Sequence, residues 1–345
     1  MSGMTPRERL RRAAHGEETD RPPCICPGGM MNAIIRDIME RTGCSWPESH
    51  SDPQKMAALT LALYRAGGFE NCGVPFCMTV EAEAMGATVD MGDMETEPHV
   101  VDSPLNSTEE VDQLTPLSLT EGRAAVVIEA IRLIRAEEPD APIVGNITGP
   151  ISTAGTLIDM SKLLIESRKK PEACHKFIDR VSEELIRFAQ AQADAGADAI
   201  CLAEPSGTGE ILGAKLFEEY TVHYVNKVMD ALNVPVKIVH ICGKLKNVYP
   251  LLDHLHCDAF SMDSAVDIQT LRPYMPGRPL MGNVSTHAIG TMPLNKVMDL
   301  TANSMRRGAD IVAPGCGLPV TAPLANVVGM TQAVRESLRE GAAHA

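Results

Sequence analysis

Short runs of apolar, largely β-branched residues recur along the chain, each ended by Gly, Pro, Asn or Asp and mostly followed by a segment with helical spacing. Eight runs are legible, at 23–27, 71–76, 142–147, 198–203, 236–241, 259–262, 279–283 and 310–313. The intervening pattern predicts helices over 51–66, 121–136, 170–195, 214–232, 245–255, 294–307 and 321–339. Ala195-Gly196-Ala197-Asp198 and Arg307-Gly308-Ala309-Asp310 place a glycine between a helix and the strand that follows. Strands alternating with helices in this way predict an α/β fold, a closed parallel (β/α)8 TIM barrel.

Three stretches lie outside the alternation. Thr5-Pro6-Arg7-Glu8 opens a small N-terminal extension as a helix start, with Thr5 as N-cap, Pro6 in the first turn and Glu8 completing a capping box. Residues 83–101, with their Met, Gly and Asp, read as an inserted hairpin after the second strand. Residues 104–116 are rich in Ser, Thr, Asp and Glu and read as a loop or linker. Nothing there suggests a second hydrophobic core, so residues 1–345 are expected to form one barrel domain.

Composition narrows the class. The chain has 345 residues, of which 44% are hydrophobic and 22% charged, and no apolar run approaches the roughly 18 residues a membrane helix needs. Aromatics are only 3%, so Ala, Val, Leu, Ile and 19 Met must fill the core. The 10 cysteines lack the compact even spacing of a disulfide framework, which points to a reducing, cytoplasmic setting. A formal charge of −14 argues against nucleic acid as a partner.

The candidate chemistry lies in Lys237-Ile238-Val239-His240-Ile241-Cys242-Gly243-Lys244 and in Ala313-Pro314-Gly315-Cys316-Gly317. Side chains two apart on a strand share a face, so His240 and Cys242 point the same way with Cα atoms roughly 6.5 Å apart. One tetrahedral zinc could be held by both, with Cys316 as a third ligand, and three protein ligands with an open fourth position mark a catalytic rather than a structural zinc. The three fall at the ends of the fifth and eighth strands, the barrel mouth where such enzymes carry their sites. Core packing is the competing account, since free cysteine is among the most buried residue types. Asn146, Glu204, Asp263 and Asn283 occupy equivalent strand ends. Asp263 is a candidate displaceable fourth zinc ligand, and a role capping a helix or orienting His240 stays open. His254-Leu255-His256-Cys257 is metal-like in spacing but precedes the sixth strand, at the opposite face. Cys24, Cys26, Cys72, Cys174 and Cys201 read as core, and Cys77 lies nearer the mouth. No phosphate-binding glycine loop or nucleophile elbow is present.

Two thiolates and one imidazole would leave zinc nearly neutral, a weak activator of water. A substrate thiol in the open position would be deprotonated and remain nucleophilic. The ligands therefore suggest alkyl transfer to sulfur.

The sequence resembles the methylcobamide:coenzyme M methyltransferases, members of the uroporphyrinogen decarboxylase superfamily. The resemblance rests on Val74-Pro75-Phe76-Cys77-Met78-Thr79-Val80-Glu81 with Glu83-Ala84-Met85-Gly86, on Pro142-Ile143-Val144-Gly145, His240-Ile241-Cys242-Gly243, Gly282-Asn283-Val284-Ser285, and on Ala313-Pro314-Gly315-Cys316-Gly317. It implies a (β/α)8 barrel with zinc on His240, Cys242 and Cys316, in which a zinc-bound thiolate takes the methyl group of a methylated Co(III) corrinoid and leaves Co(I). It also implies a separate corrinoid carrier protein as partner, since this chain lacks the Asp-x-His-x-x-Gly with which such carriers ligate cobalt. The decarboxylases of the superfamily use N-terminal arginines, and residues 24–32 hold none. Coenzyme M carries a sulfonate that needs Arg, Lys or backbone donors at the mouth, which the sequence does not identify. A substrate-side corrinoid methyltransferase, a tetrahydrofolate-accepting homologue and a zinc-stabilised docking module are the alternative readings.

Overall fold

The structure, a computed structural model, describes residues 4–343. Six parallel strands lie in chain order in one sheet: Cys72–Val74, Ile143–Thr148, Ala199–Glu204, Val236–Ile241, Ala259–Met262 and Leu280–Met281. They occupy the second to seventh barrel positions expected from the sequence. The expected first and eighth strands are present only as isolated parallel bridges, Cys24 to Val312, Met281 to Ile311 and Val284 to Pro314. Proline explains the irregularity, because Pro23, Pro27 and Pro314 have no N–H to give to a ladder.

The ring nevertheless closes. Ile25 N–H donates to Val312 O and Val312 N–H to Pro23 O, each at 2.9 Å. On the other side Glu70 N–H donates to Cys24 O at 2.8 Å, and the Asn71 side chain stands in for backbone, accepting from Cys26 N and donating to Cys26 O at 2.8 Å each. Burial is continuous around the ring, and the strand residues of positions two to four are buried on both faces.

Both Gly-Ala-Asp turns act as expected. Gly196 and Gly308 take φ +117° and +101°, where a side chain would be strained. The aspartate that follows each then accepts from the neighbouring strand, Asp198 from Ile143 N and Asp310 from Leu280 N, both at 2.8 Å. Asp198 also pairs with Arg7 at 2.6 Å. The N-terminal helix Pro6–Ala14 thereby lies under the strand starts, with Thr5 Oγ1 capping Glu8 N.

Helices match the expected stretches at Pro53–Arg65, Gly122–Glu137, Pro171–Asp194, Leu294–Arg306 and Leu324–Ala343. The helix expected over 214–232 is present as one helical run to Ala231, with a π turn at Phe217–Val222 before His223–Ala231, and a kink at Gly213, φ +72°, lies just ahead of it. One expectation fails. The helix expected over 245–255 shrinks to short turns, Lys246–Val248 and Tyr249–Leu252, because Pro250 lacks the N–H and ring clearance an interior position demands. Helices Pro150–Ile158 and Met160–Lys169 follow the third strand and were not foreseen. The inserted hairpin is present as Thr88–Asp90 antiparallel to Val100-containing His99–Asp102. Residues 104–116 are no free linker: Leu105, Val111 and Leu114 are buried, and Glu166 accepts from Thr108 N at 2.7 Å. No helix of the described residues is long and apolar enough to cross a membrane.

Barrel closure depends on a buried charge. Glu70 accepts from both Arg21 guanidinium nitrogens and from Cys24 N at 3.1 Å, with Arg9 and Arg335 at 3.7 and 3.6 Å. Burial opposes ionisation of Glu70, but the Arg21 hydrogen bonds and charge outweigh it and hold the carboxyl below its ordinary 4.5. A folded-state pKa below the unfolded one gives stability that is complete above about pH 4.5 and lost as pH falls through the folded value. Glu70→Gln should cost about 3 kcal/mol near neutral pH, because buried Arg21 loses its counter-charge, and should flatten the acid limb of the stability curve. Urea titrations from pH 3 to 7 test this, and a variant that keeps the full acid dependence would assign it to other carboxylates.

Candidate metal and thiol site

The fifth strand carries His240 next to its last residue, Ile241, and Cys242 follows it, so strand alternation puts imidazole and thiol on the inner face. His240 Nε2 lies 3.2 Å from Cys242 Sγ. Ring closure at the eighth position brings in Cys316, whose Sγ is 3.8 Å from Cys242 Sγ across 74 residues of sequence. Met30 Sδ, from the loop after the first strand, is 3.1 Å from the same Cys242 sulfur. One S–H thus faces three acceptors.

The tautomer of His240 follows from its neighbour. Ser261, the register partner of His240 on the sixth strand, lies 2.9 Å from Nδ1, and its hydroxyl is directed at Met31 Sδ at 3.6 Å. A serine proton directed there lets Nδ1–H donate to Ser261 Oγ and leaves the Nε2 lone pair to face the thiols. Burial, partly offset by the nearby Asp263 charge, lowers the His240 pKa to about 4, so the ring is neutral at pH 7. The hydrogen bond between the two cysteines lowers Cys316 to about 7 and, with burial, raises Cys242.

This donor set fits a soft or borderline cation. Two sulfurs on one tetrahedral zinc, each at ~2.3 Å, stand roughly 3.8 Å apart, and a sulfur and an imidazole nitrogen roughly 3.5 Å. The observed separations are 3.8 and 3.2 Å. The three side chains form an open row with Cys242 in the middle, however. Among the described residues no three His, Cys, Asp or Glu side chains already surround a common point, so a cation would have to draw the ends of the row together.

Asp263 sits beside the row with its oxygens turned to backbone. Oδ2 accepts from Gly243 N at 3.3 Å and Oδ1 from Ala265 N at 2.8 Å. The other strand-end residues have separate tasks. Glu204 is buried and accepts from Ile151 N, Ser152 N and Gly207 N at 2.9 to 3.0 Å, anchoring the helix after the third strand. Asn283 Nδ2 donates to Asp263 O and Val266 O at 2.9 and 2.7 Å, while Asn146 packs beneath Gly29. Cys77 is buried against Arg123 at 3.2 Å, and burial raises its pKa despite that charge. His254 and His256 diverge on the surface, towards Glu218 and Asp230, and Cys257 faces Arg278. Cys24, Cys26, Cys72, Cys174 and Cys201 are core residues, as expected.

Two contributors escaped the sequence reading. Met30 had no signal, because a methionine in a loop is indistinguishable from the other 18. Glu97, in the turn of the inserted hairpin, has its pKa raised to about 7 by burial and by the charge of Cys316. Its place could be read only as an acid in an irregular insertion.

Barrel, mouth and sulfur-imidazole row define the class. The chain belongs to the uroporphyrinogen decarboxylase family, which it matches over residues 5–337. Within that family it belongs with the methylcobamide:CoM methyltransferases. It is 31% identical to the enzyme of that name from Methanosarcina acetivorans, a match covering 97% of this chain and 99% of the relative. A methyltransferase structure from Methanosarcina mazei superposes with a TM-score of 0.91 at 30% identity, over 97% of this chain and 99% of that one. A uroporphyrinogen decarboxylase from Thermus thermophilus is 25% identical over 80% of this chain and 81% of its own.

In metal-free protein, 15N NMR should show His240 neutral with its proton on Nδ1 down to about pH 5, since its pKa is about 4. Ser261→Ala should remove that preference and mix the two tautomers. A proton on Nε2 in the unmodified protein would show that Ser261 donates to the ring instead.

Proposed function

We propose that the protein transfers a methyl group from a methylated corrinoid, presented by a separate carrier protein, to a thiol such as coenzyme M, with zinc held by His240, Cys242 and Cys316. The observation that carries this reading is the crowding of imidazole, two thiols and a thioether about one sulfur proton at the barrel mouth, in a chain that belongs with methylcobamide:CoM methyltransferases. When bound, zinc would supply the positive charge that deprotonates a coordinating thiol at neutral pH. His240 keeps its proton on Nδ1 and offers Nε2. Cys242 and Cys316 bring two negative charges, so the acceptor sulfur stays electron-rich. With zinc bound, Asp263 would be a displaceable fourth ligand; in the structure its oxygens accept from Gly243 N and Ala265 N.

The acceptor sulfur forms its bond to the methyl carbon as the carbon–cobalt bond breaks. The bonding pair stays on cobalt, which passes from Co(III) to Co(I), and the thiol proton has already left to solvent. Nothing in the chain offers cobalt the ligand motif of a carrier, which supports a docking partner. Decarboxylation lacks support, because residues 24–32 contain no arginine to grip substrate carboxylates.

Elemental analysis should find about one zinc per chain, and Cys242→Ala or Cys316→Ala should lose most of it. With methylcobalamin and 2-mercaptoethanesulfonate, zinc-loaded protein should bleach the methyl-Co(III) spectrum and yield the methyl thioether, while chelator-stripped protein should not. An inert thiol panel beside active methylation of Co(I) by a methoxylated or methylamine substrate would reverse the assigned direction. Zinc-edge absorption should count about two sulfurs at rest and about three with the thiol, at unchanged total coordination. Asp263→Ala should alter the resting spectrum alone.

A further inference from the structure

The segment Gly28-Gly29-Met30-Met31-Asn32 is held by its backbone from several directions. A Cβ on Gly28 would lie 2.8 Å from Val74 N, and one on Gly29 would collide with Asn146 Oδ1. A Cβ on Gly73 would lie 2.9 Å from Gly28 N, and one on Gly317 2.6 Å from Met30 O. Four glycines on three parts of the chain are therefore required to seat one turn. Cys26 Sγ donates to Met31 O at 2.7 Å, and Leu318 N to Asn32 O at 2.9 Å. This backbone cannot shift without displacing the second strand, the third strand and the Cys316 loop together. The side chain of Met30 has no such restraint. It is partly exposed, has three rotatable bonds, and lies with its sulfur 3.1 Å from Cys242 Sγ.

An entering sulfur that joins Cys242 and Cys316 on one ion comes to roughly 3.8 Å from each of theirs. A thioether already 3.1 Å from Cys242 occupies that shell. We propose, on the strength of the thiol-acceptor reading above, that Met30 is the specificity-determining wall of the acceptor site. Its side chain turns aside on a fixed backbone to admit an unbranched thiol, then packs against the carbon that bears the sulfur. A thiol branched at that carbon meets the Met30 side chain, and the rigid turn behind it cannot retreat. A polarizable thioether suits the place, since it offers dispersion contact to sulfur and carbon without competing strongly for the ion.

The test uses cobalt(II)-loaded full-length protein, whose visible absorption reports thiolate ligation, titrated with 2-mercaptoethanesulfonate and with 2-methyl-2-propanethiol. The unmodified protein should favour the first by at least about tenfold, Met30→Ala should shrink that preference at least about fivefold, and Met30→Leu, which keeps the volume, should retain it. Metal-free protein gives an independent readout: iodoacetamide should label Cys242 about tenfold faster in Met30→Ala than in Met30→Leu, by peptide mass spectrometry. Unchanged preference and unchanged labelling in Met30→Ala would overturn the proposal alone, as would a Leu variant that behaves like the Ala variant. A cobalt spectrum in unmodified protein that responds to no thiol would overturn the acceptor-site reading, and the role of Met30 with it.

Discussion

The site depends on closure of the ring between the first and eighth barrel positions. His240 and Cys242 are fixed by strand alternation alone, but Cys316 reaches them only because Val312 exchanges hydrogen bonds with Pro23 and Ile25 while Gly315 N–H donates to Val284 O. Proline-rich segments form both of these edges, and they are the least regular part of the ladder. Side-chain substitutes make up the deficit. Asn71 completes the pairing of Cys26, and the Glu70 carboxylate accepts from Cys24 N under the charge of Arg21.

Electrostatics at the mouth favour a sulfur ligand set kept ready for a cation. Burial keeps His240 neutral, and Ser261 fixes which nitrogen is free. The hydrogen bond to Cys242 lowers the Cys316 pKa, and burial together with the Cys316 charge raises that of Glu97. Asp263 adds negative charge beside the row while its oxygens remain engaged by backbone N–H groups. An ion of charge +2 would neutralise this group, which is the physical basis for the zinc proposal.

The same family holds decarboxylases and methyltransferases, and in this chain residues 24–32 carry no cationic side chain. Where decarboxylases are expected to carry arginines, this chain has two glycines and two methionines, packed by backbone against Val74, Pro75, Asn146 and Gly317. A thioether, Met30, stands there 3.1 Å from the Cys242 sulfur, and no arginine does. The proposed acceptor selectivity rests on that soft group.

Periodicity alone determined the eight-fold alternation, the Thr5 cap, both Gly-Ala-Asp turns and the shared face of His240 and Cys242, because each depends on residues within about two turns or one strand of each other. The helix expected over 245–255 was lost to Pro250, whose local effect outweighed an amphipathic pattern. Tertiary structure decided the rest. Contact of Cys316 with Cys242, the thioether of Met30 and the backbone orientation of Asp263 all depend on the path of loops over the barrel mouth. Loop paths are set by which backbones can approach one another, here through glycines at 28, 29, 73 and 317, and that information is distributed over positions too far apart for any sequence period to reveal.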